Sequence, residues 1–159
     1  MLGQLKSIIS SIITYGMLVA IIWAGMYYLP RIRSVVVPLD YGDINGLEAS
    51  KSYWLDGGAR VNTMKDGEGI AFNFTTDAEQ ARFGWVAGRP GQSIEVNGGK
   101  LLVDGRPAAK GGDISGADLG PLVVPAGHVW LVSSGHRHDS FRYGPIPQSA
   151  ILGSVGDLP

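Results

Sequence analysis

The sequence predicts a mainly β protein that begins with one long helix, and three observations carry that expectation. Twenty-four glycines and nine prolines in 159 residues mark a turn-rich chain rather than a helical bundle. Residues 8–29 form an uncharged, largely apolar run. From residue 34 onward the apolar residues fall in short runs punctuated by glycine, as strands and turns do. The expected organisation is an N-terminal anchor over 1–33, with its helix at about 8–29, and a coiled antiparallel β domain over 34–159. The length leaves room for one compact core beside the anchor.

The N-terminal run is long enough to read as a transmembrane helix, since about 20 residues at 1.5 Å each span a bilayer's hydrocarbon core. It exceeds a signal-peptide h-region, and no A-x-A site follows it. Trp23, Tyr27 and Tyr28 stand where an interfacial aromatic belt would sit, and Pro30 ends the helix before Arg31 and Arg33. Lys6 and the amino terminus nearly balance those arginines, so charge alone leaves the orientation open. Gly16, Ala20 and Ala24 recur every four residues and form a small-residue face on which a partner helix could pack closely. The expected partners are therefore the lipid bilayer and membrane proteins.

In the β domain, Val35–Val37 is a β-branched triplet and Gly69–Phe74 alternates around Ile70, Phe72 and Phe74. Ser93–Val96, the turn Asn97-Gly98-Gly99, and Lys100–Val103 ending at Asp104-Gly105 read as a β-hairpin with its own turn residues. Val129–Val132 reads as a buried strand. Asp77–Arg82 reads as one helical turn, and Lys110–Gly120 as a surface loop too polar to carry core.

Composition removes several classes of function. Thirteen basic and fourteen acidic residues leave a net charge of −1, with no basic field to draw the chain to nucleic acid. Without cysteine there are no disulfides and no thiolate metal sites. No Gly-x-x-x-x-Gly-Lys-Ser/Thr cradle is present for a phosphate. Asp113 and Asp118 lack the spacing of a calcium loop. His136 and His138 would share one face of a strand, yet they read as solvated turn residues, as does His128. Neither a cofactor nor a metal is expected.

Five stretches, in order, resemble the boxes of type I signal peptidases and the related conjugative pilin-processing peptidases. They are Pro38 with Gly42-Asp43; Gly67-Glu68-Gly69-Ile70-Ala71-Phe72; Val86-Ala87-Gly88-Arg89-Pro90-Gly91-Gln92; Val124-Pro125-Ala126-Gly127-His128-Val129-Trp130; and Asp139-Ser140 with Tyr143-Gly144-Pro145-Ile146-Pro147 and a glycine turn at Gly153. The resemblance implies a β domain of signal-peptidase type, with Gly88, Pro90, Gly91, Asp139, Ser140 and Gly144 as its structural motif residues. It also implies a bacterial inner-membrane, single-pass protein with a cytoplasmic N-terminus and a periplasmic domain. It further implies a groove between the strands at Val35–Val37 and Phe83–Ala87, where a substrate would add as a strand.

The departures from that pattern fall on the chemistry. The family's nucleophilic serine stands three residues before the proline of its first box, and that position is Val35. Its general-base lysine stands four residues before the glycine of G-x-P-G, and that position is Gly84. Activating a serine needs a base of lowered pKa; glycine offers no side chain, and the guanidinium of Arg82 stays protonated. Ser34 is the one hydroxyl near the nucleophile position, one residue out of step and so on the opposite face of a strand.

The sequence therefore points to a non-catalytic, signal-peptidase-like pseudoenzyme, an accessory subunit or assembly factor of an energy-transducing, secretion or pilus complex. The alternative is an active leader peptidase using Ser34 as a displaced nucleophile.

Overall fold

The structure is a computed structural model that describes residues 2–28, 32–37, 47–48, 50–73, 81–108, 114, 118–133 and 139–156; within the first helix, side chains are described at 6, 9 and 11–27. The chain divides into two compact units, Met1–Ile32 and Arg33–Pro159.

The first unit is helix α1 (Leu2–Tyr28). Most of its described apolar side chains are exposed, Ile12, Tyr15, Trp23 and Met26 among them, and Trp23 stacks on Tyr27 with ring centroids 5.9 Å apart. Among the described residues, no helix is long and apolar enough to cross a membrane. This overturns the expected transmembrane anchor over 8–29, and the membrane, single-pass and lipid-bilayer assignments go with it. Ser11, Thr14, Tyr15 and Gly16 dilute the apolar character of α1.

The second unit is mainly β, as expected. Its strands are β1 (Ile32–Val36), β2 (Ser52–Asp56), β3 (Gly69–Phe72), β4 (Arg82–Gly88), β5 (Ser93–Asn97), β6 (Lys100–Val103), β7 (Arg106–Pro107), β8 (Leu119–Val123), β9 (His128–Val132), β10 (Ile146–Pro147) and β11 (Ile151–Gly156). A one-turn helix, α2 (Ser140–Tyr143), follows β9. Among the described residues they form a seven-stranded sheet, β1-β2-β11-β3-β4-β9-β10, and a four-stranded sheet, β7-β6-β5-β8.

Side-chain alternation on the central strands sorts the core into two clusters. Phe83 and Trp85 of β4, Ala71 of β3, and Trp130 and Val132 of β9 join Tyr53, Leu55, Ile94, Val96 and Leu101 in a core shared by the two sheets. Ile70, Phe72, Val86, Val129 and Leu131 face the other way and pack with Val61, Met64, Ile146 and Ala150. Removing each large aliphatic or aromatic side chain from water in this way is worth about 1.5–3 kcal/mol. Because both faces are covered, every residue of β4 is buried and its two-residue period disappears from the hydropathy pattern.

The hairpin has the register its turn residues call for. Asn97 pairs with Lys100 across Gly98-Gly99, whose φ angles of 56° and 78° are those of a two-residue hairpin turn. A second tight turn at Asp104-Gly105 leads into β7, which pairs with β6.

Three further expectations are corrected. Within Lys110–Gly120, Ile114 is a buried core residue whose N–H donates to the Gly99 carbonyl at 2.7 Å, and β8 begins at Leu119. A single apolar residue among glycines and aspartates carries no periodic signal, so its burial was not legible. Gly153 lies inside β11 at a register shift beside β3, not in a turn. Within Asp77–Arg82, Arg82 opens β4, while 77–80 lie outside the described residues.

Candidate functional site

The motif residues are positioned by local backbone demands that can be named one by one. In Arg89-Pro90-Gly91-Gln92 the Gln92 N–H donates to the Arg89 carbonyl at 3.0 Å, and Gly91 has φ 85°. This is a type II turn, with proline at the second position and glycine at the third, where a positive φ is required. Gln92 stands where the family pattern has aspartate. Its Oε1 accepts the Arg89 N–H at 2.7 Å, and its Nε2 donates to the Asp104 carboxylate at 3.2 Å. Gly88, by contrast, is required for space, since a Cβ there would run into the Ile94 side chain.

Asp139 and Ser140 tie α2 to β9. Asp139 caps α2 by accepting the Phe141 N–H at 3.0 Å, and its other oxygen accepts the Ser133 N–H at 3.2 Å. The Ser140 hydroxyl accepts the Leu131 N–H at 2.9 Å, and the Gly144 N–H closes the helix on the Ser140 carbonyl at 2.9 Å. Both side-chain acceptors are buried, so each satisfies a backbone donor that has no water to turn to.

Val35 and Gly84, which the resemblance led us to expect in the places of nucleophile and base, are associated with different core clusters. Val35 is half-buried and packs on the first core, beside the cluster that holds Val37, Phe83 and Trp85. Gly84 sits between Phe83 and Trp85 and pairs with Ile70 of the second core. A Cβ on Gly84 would lie 3.5 Å from the Leu131 Cβ and 3.0 Å from the Val132 carbonyl oxygen. Ser34 is exposed, on the face of β1 opposite Val35.

The expected groove between β1 and β4 is not formed by a free edge of β4. That strand pairs with β3 from Arg82 to Trp85 and with β9 from Trp85 to Gly88, and β2, β11 and β3 separate it from β1. Along these paired residues a peptide could not add to β4 without displacing a neighbour. The resemblance implied the groove from local boxes, whereas strand order is a long-range property.

The remaining polar groups form no second constellation. Among the described residues no three His, Asp or Glu side chains converge as a metal site would need. His128 Nδ1 lies 2.9 Å from the Ala126 carbonyl, and Asp118 accepts the Gly98 N–H at 3.3 Å. His136, His138, Asp113, Pro38, Gly42 and Asp43 lie outside the described residues. Arg82, nearly buried, places its guanidinium 5.6 Å from the Tyr143 ring centroid. Two groups that no sequence pattern announced are the Ser133 hydroxyl and the Trp130 indole N–H, both buried without a hydrogen-bond partner among the described residues.

This fold, with its capped DS turn and its G-x-P-G type II turn, defines a protein of the signal-peptidase class. Residues 5–156 match the family described as "Signal peptidase, peptidase S26", and the chain belongs to that family. It is also similar to "Conjugal transfer protein TraF" of Agrobacterium fabrum (strain C58), with 36% identity over 76 residues, covering 43% of this chain and 43% of that protein. The match thus spans less than half the length of that relative.

Proposed function

We propose that this chain is a non-catalytic member of the signal-peptidase family that serves as an accessory or assembly subunit of a conjugation or pilus-type machine. One observation carries the reading. The positions that the family gives to nucleophile and base are held here by Val35 and Gly84, and they are associated with different core clusters. A serine and a lysine act together only within hydrogen-bonding reach, about 2.6–3.2 Å. Neither side chain can reach through a paired, fully buried β4. The conjugation setting draws its support from the similarity to a conjugal transfer protein. The family resemblance further supports a β domain that works outside the cytoplasm, and the four-residue spacing of Gly16, Ala20 and Ala24 supports that stripe of α1 as a face for a partner helix.

The test is a cleavage assay. The full chain and a Ser34→Ala variant are incubated with a conjugative pilin precursor and the products are read by mass spectrometry. Neither protein should cut. Specific cleavage by the parent that disappears in Ser34→Ala would establish the displaced-nucleophile peptidase instead. Purification of the tagged chain from its native cells should bring down transfer or pilus components.

A further inference from the structure

A cleft of about 360 Å³ lies between the β4 register shift and the β6–β7 hairpin, lined by Asp66, Val86, Ala87, Gln92, Val103, Asp104, Arg106, Pro107 and Ala108. Neither Val35 nor Gly84 lines it, so it is separate from the family's catalytic positions. We infer that this cleft binds a short peptide segment ending in, or carrying, a carboxylate, with Arg106 as its anion-binding group.

Among the described lining residues, the charges are arranged so that Arg106 remains to be used. Asp66 is engaged by Arg89, whose Nε donates to it at 2.8 Å. Asp104 accepts the Ser93 N–H at 2.8 Å through one oxygen and the Gln92 amide at 3.2 Å through the other. With Arg89 counted, the formal charges of Asp66, Asp104 and Arg106 cancel among the described lining residues. Arg106, exposed on β7, makes no ion pair or hydrogen bond among the described residues. Its guanidinium presents a planar fork of donors, the geometry that matches a carboxylate.

The backbone of the same wall has little else to offer. Pro107 has no N–H, and the Ala108 N–H already donates to the Leu101 carbonyl at 3.0 Å. An acceptor entering along β7 is therefore met by Arg106. The rest of the lining, Val86, Ala87, Val103, Pro107 and Ala108, is apolar and of small to medium size. The volume is near the lower end of the roughly 300–1,000 Å³ of ligand pockets, which suits small aliphatic side chains.

The probe is acetyl-Ala-Ala-Ala, titrated as the free acid and as its C-terminal amide into the isotopically labelled full chain and followed by amide chemical shifts. The free acid should produce saturable shifts at Ala87 and Ala108 and bind about five- to tenfold more tightly than the amide, because its contact with Arg106 is charge-assisted. Added salt should narrow that gap. Arg106→Gln should bring the acid down to the level of the amide and leave the amide unchanged. Equal affinities for acid and amide, an unaltered preference in Arg106→Gln, or no saturable shift around the cleft would each overturn the inference. Cleavage activity does not enter the measurement, so this outcome is independent of the proposed function.

Discussion

The Asp139 carboxylate joins two backbone segments at once, accepting the Ser133 N–H at the end of β9 and the Phe141 N–H in the first turn of α2, with none of its surface exposed. Asp139→Asn keeps the shape but turns one acceptor oxygen into a donor that faces another N–H. It should cost about 1–3 kcal/mol, and Asp139→Ala about 2–4 kcal/mol, because both backbone donors are then left buried and unsatisfied. Urea unfolding of the full chain measures both values. A loss below about 0.5 kcal/mol in Asp139→Ala would mean that the contact is not formed.

Gly153 is fixed by space. A Cβ there would collide with the Asp56 carbonyl and the adjoining backbone of Gly57, neither of which is the movable end of a side chain. Gly153→Ala should therefore destabilise the domain by about 2 kcal/mol or more and loosen the β11–β2 pairing before the rest. Amide exchange at Leu55 and Val155 should rise together. If the variant unfolds at the same urea concentration as the parent, β11 does not lie this close to β2.

The hairpin turn separates two glycines by their tolerance. Gly98→Asn should change stability by less than about 0.5 kcal/mol, since Asn-Gly is the favoured pair for such a turn. Gly99→Val should cost about 1–3 kcal/mol, because valine resists the φ of 78° and its Cβ would lie 3.3 Å from the Ile114 carbonyl oxygen. Thermal unfolding of the two variants side by side should show that contrast.

Replacing both vacant positions, as Val35→Ser with Gly84→Lys, should not restore cleavage. The new lysine would start on the second-core face, 3.0 Å from the Val132 carbonyl, while the new serine would face the first core. A drop in stability of about 1–3 kcal/mol with no product is the expected result. Specific cutting of a pilin precursor by the double variant would show that the two positions do meet.

On α1, Gly16 and Ala20 are exposed and nothing lies within 4 Å of a Cβ built on Gly16. Gly16→Leu should lower the yield of co-purified partner several-fold if that face seats another helix, whereas a change of similar size at Leu18 or Ile22 should matter less. Equal yields in all variants would move the attachment to the β domain.

Features encoded over a few neighbouring residues are legible in the amino-acid sequence by itself. The Gly98-Gly99 hairpin depends on φ preferences within a few residues, so composition and spacing specify it, whereas the type II turn at Arg89–Gln92 and the cap at Asp139 were met in the sequence only as parts of family-like boxes. The ordered boxes were legible for the same reason, and they led to the family. Strand β4 was legible through its box, although its burial on both faces erased the alternation that normally marks a strand.

Tertiary structure alone decided the order of strands in the large sheet, and with it whether β4 keeps a free edge for a peptide. It also decided that Val35 and Gly84 face different cores, that Ile114 is buried, and that Arg106 reaches a cleft whose carboxylates are already satisfied. Each of these depends on contacts between residues tens of positions apart. Such contacts are selected by the summed burial of both sheet faces, and no local window of the chain contains that sum.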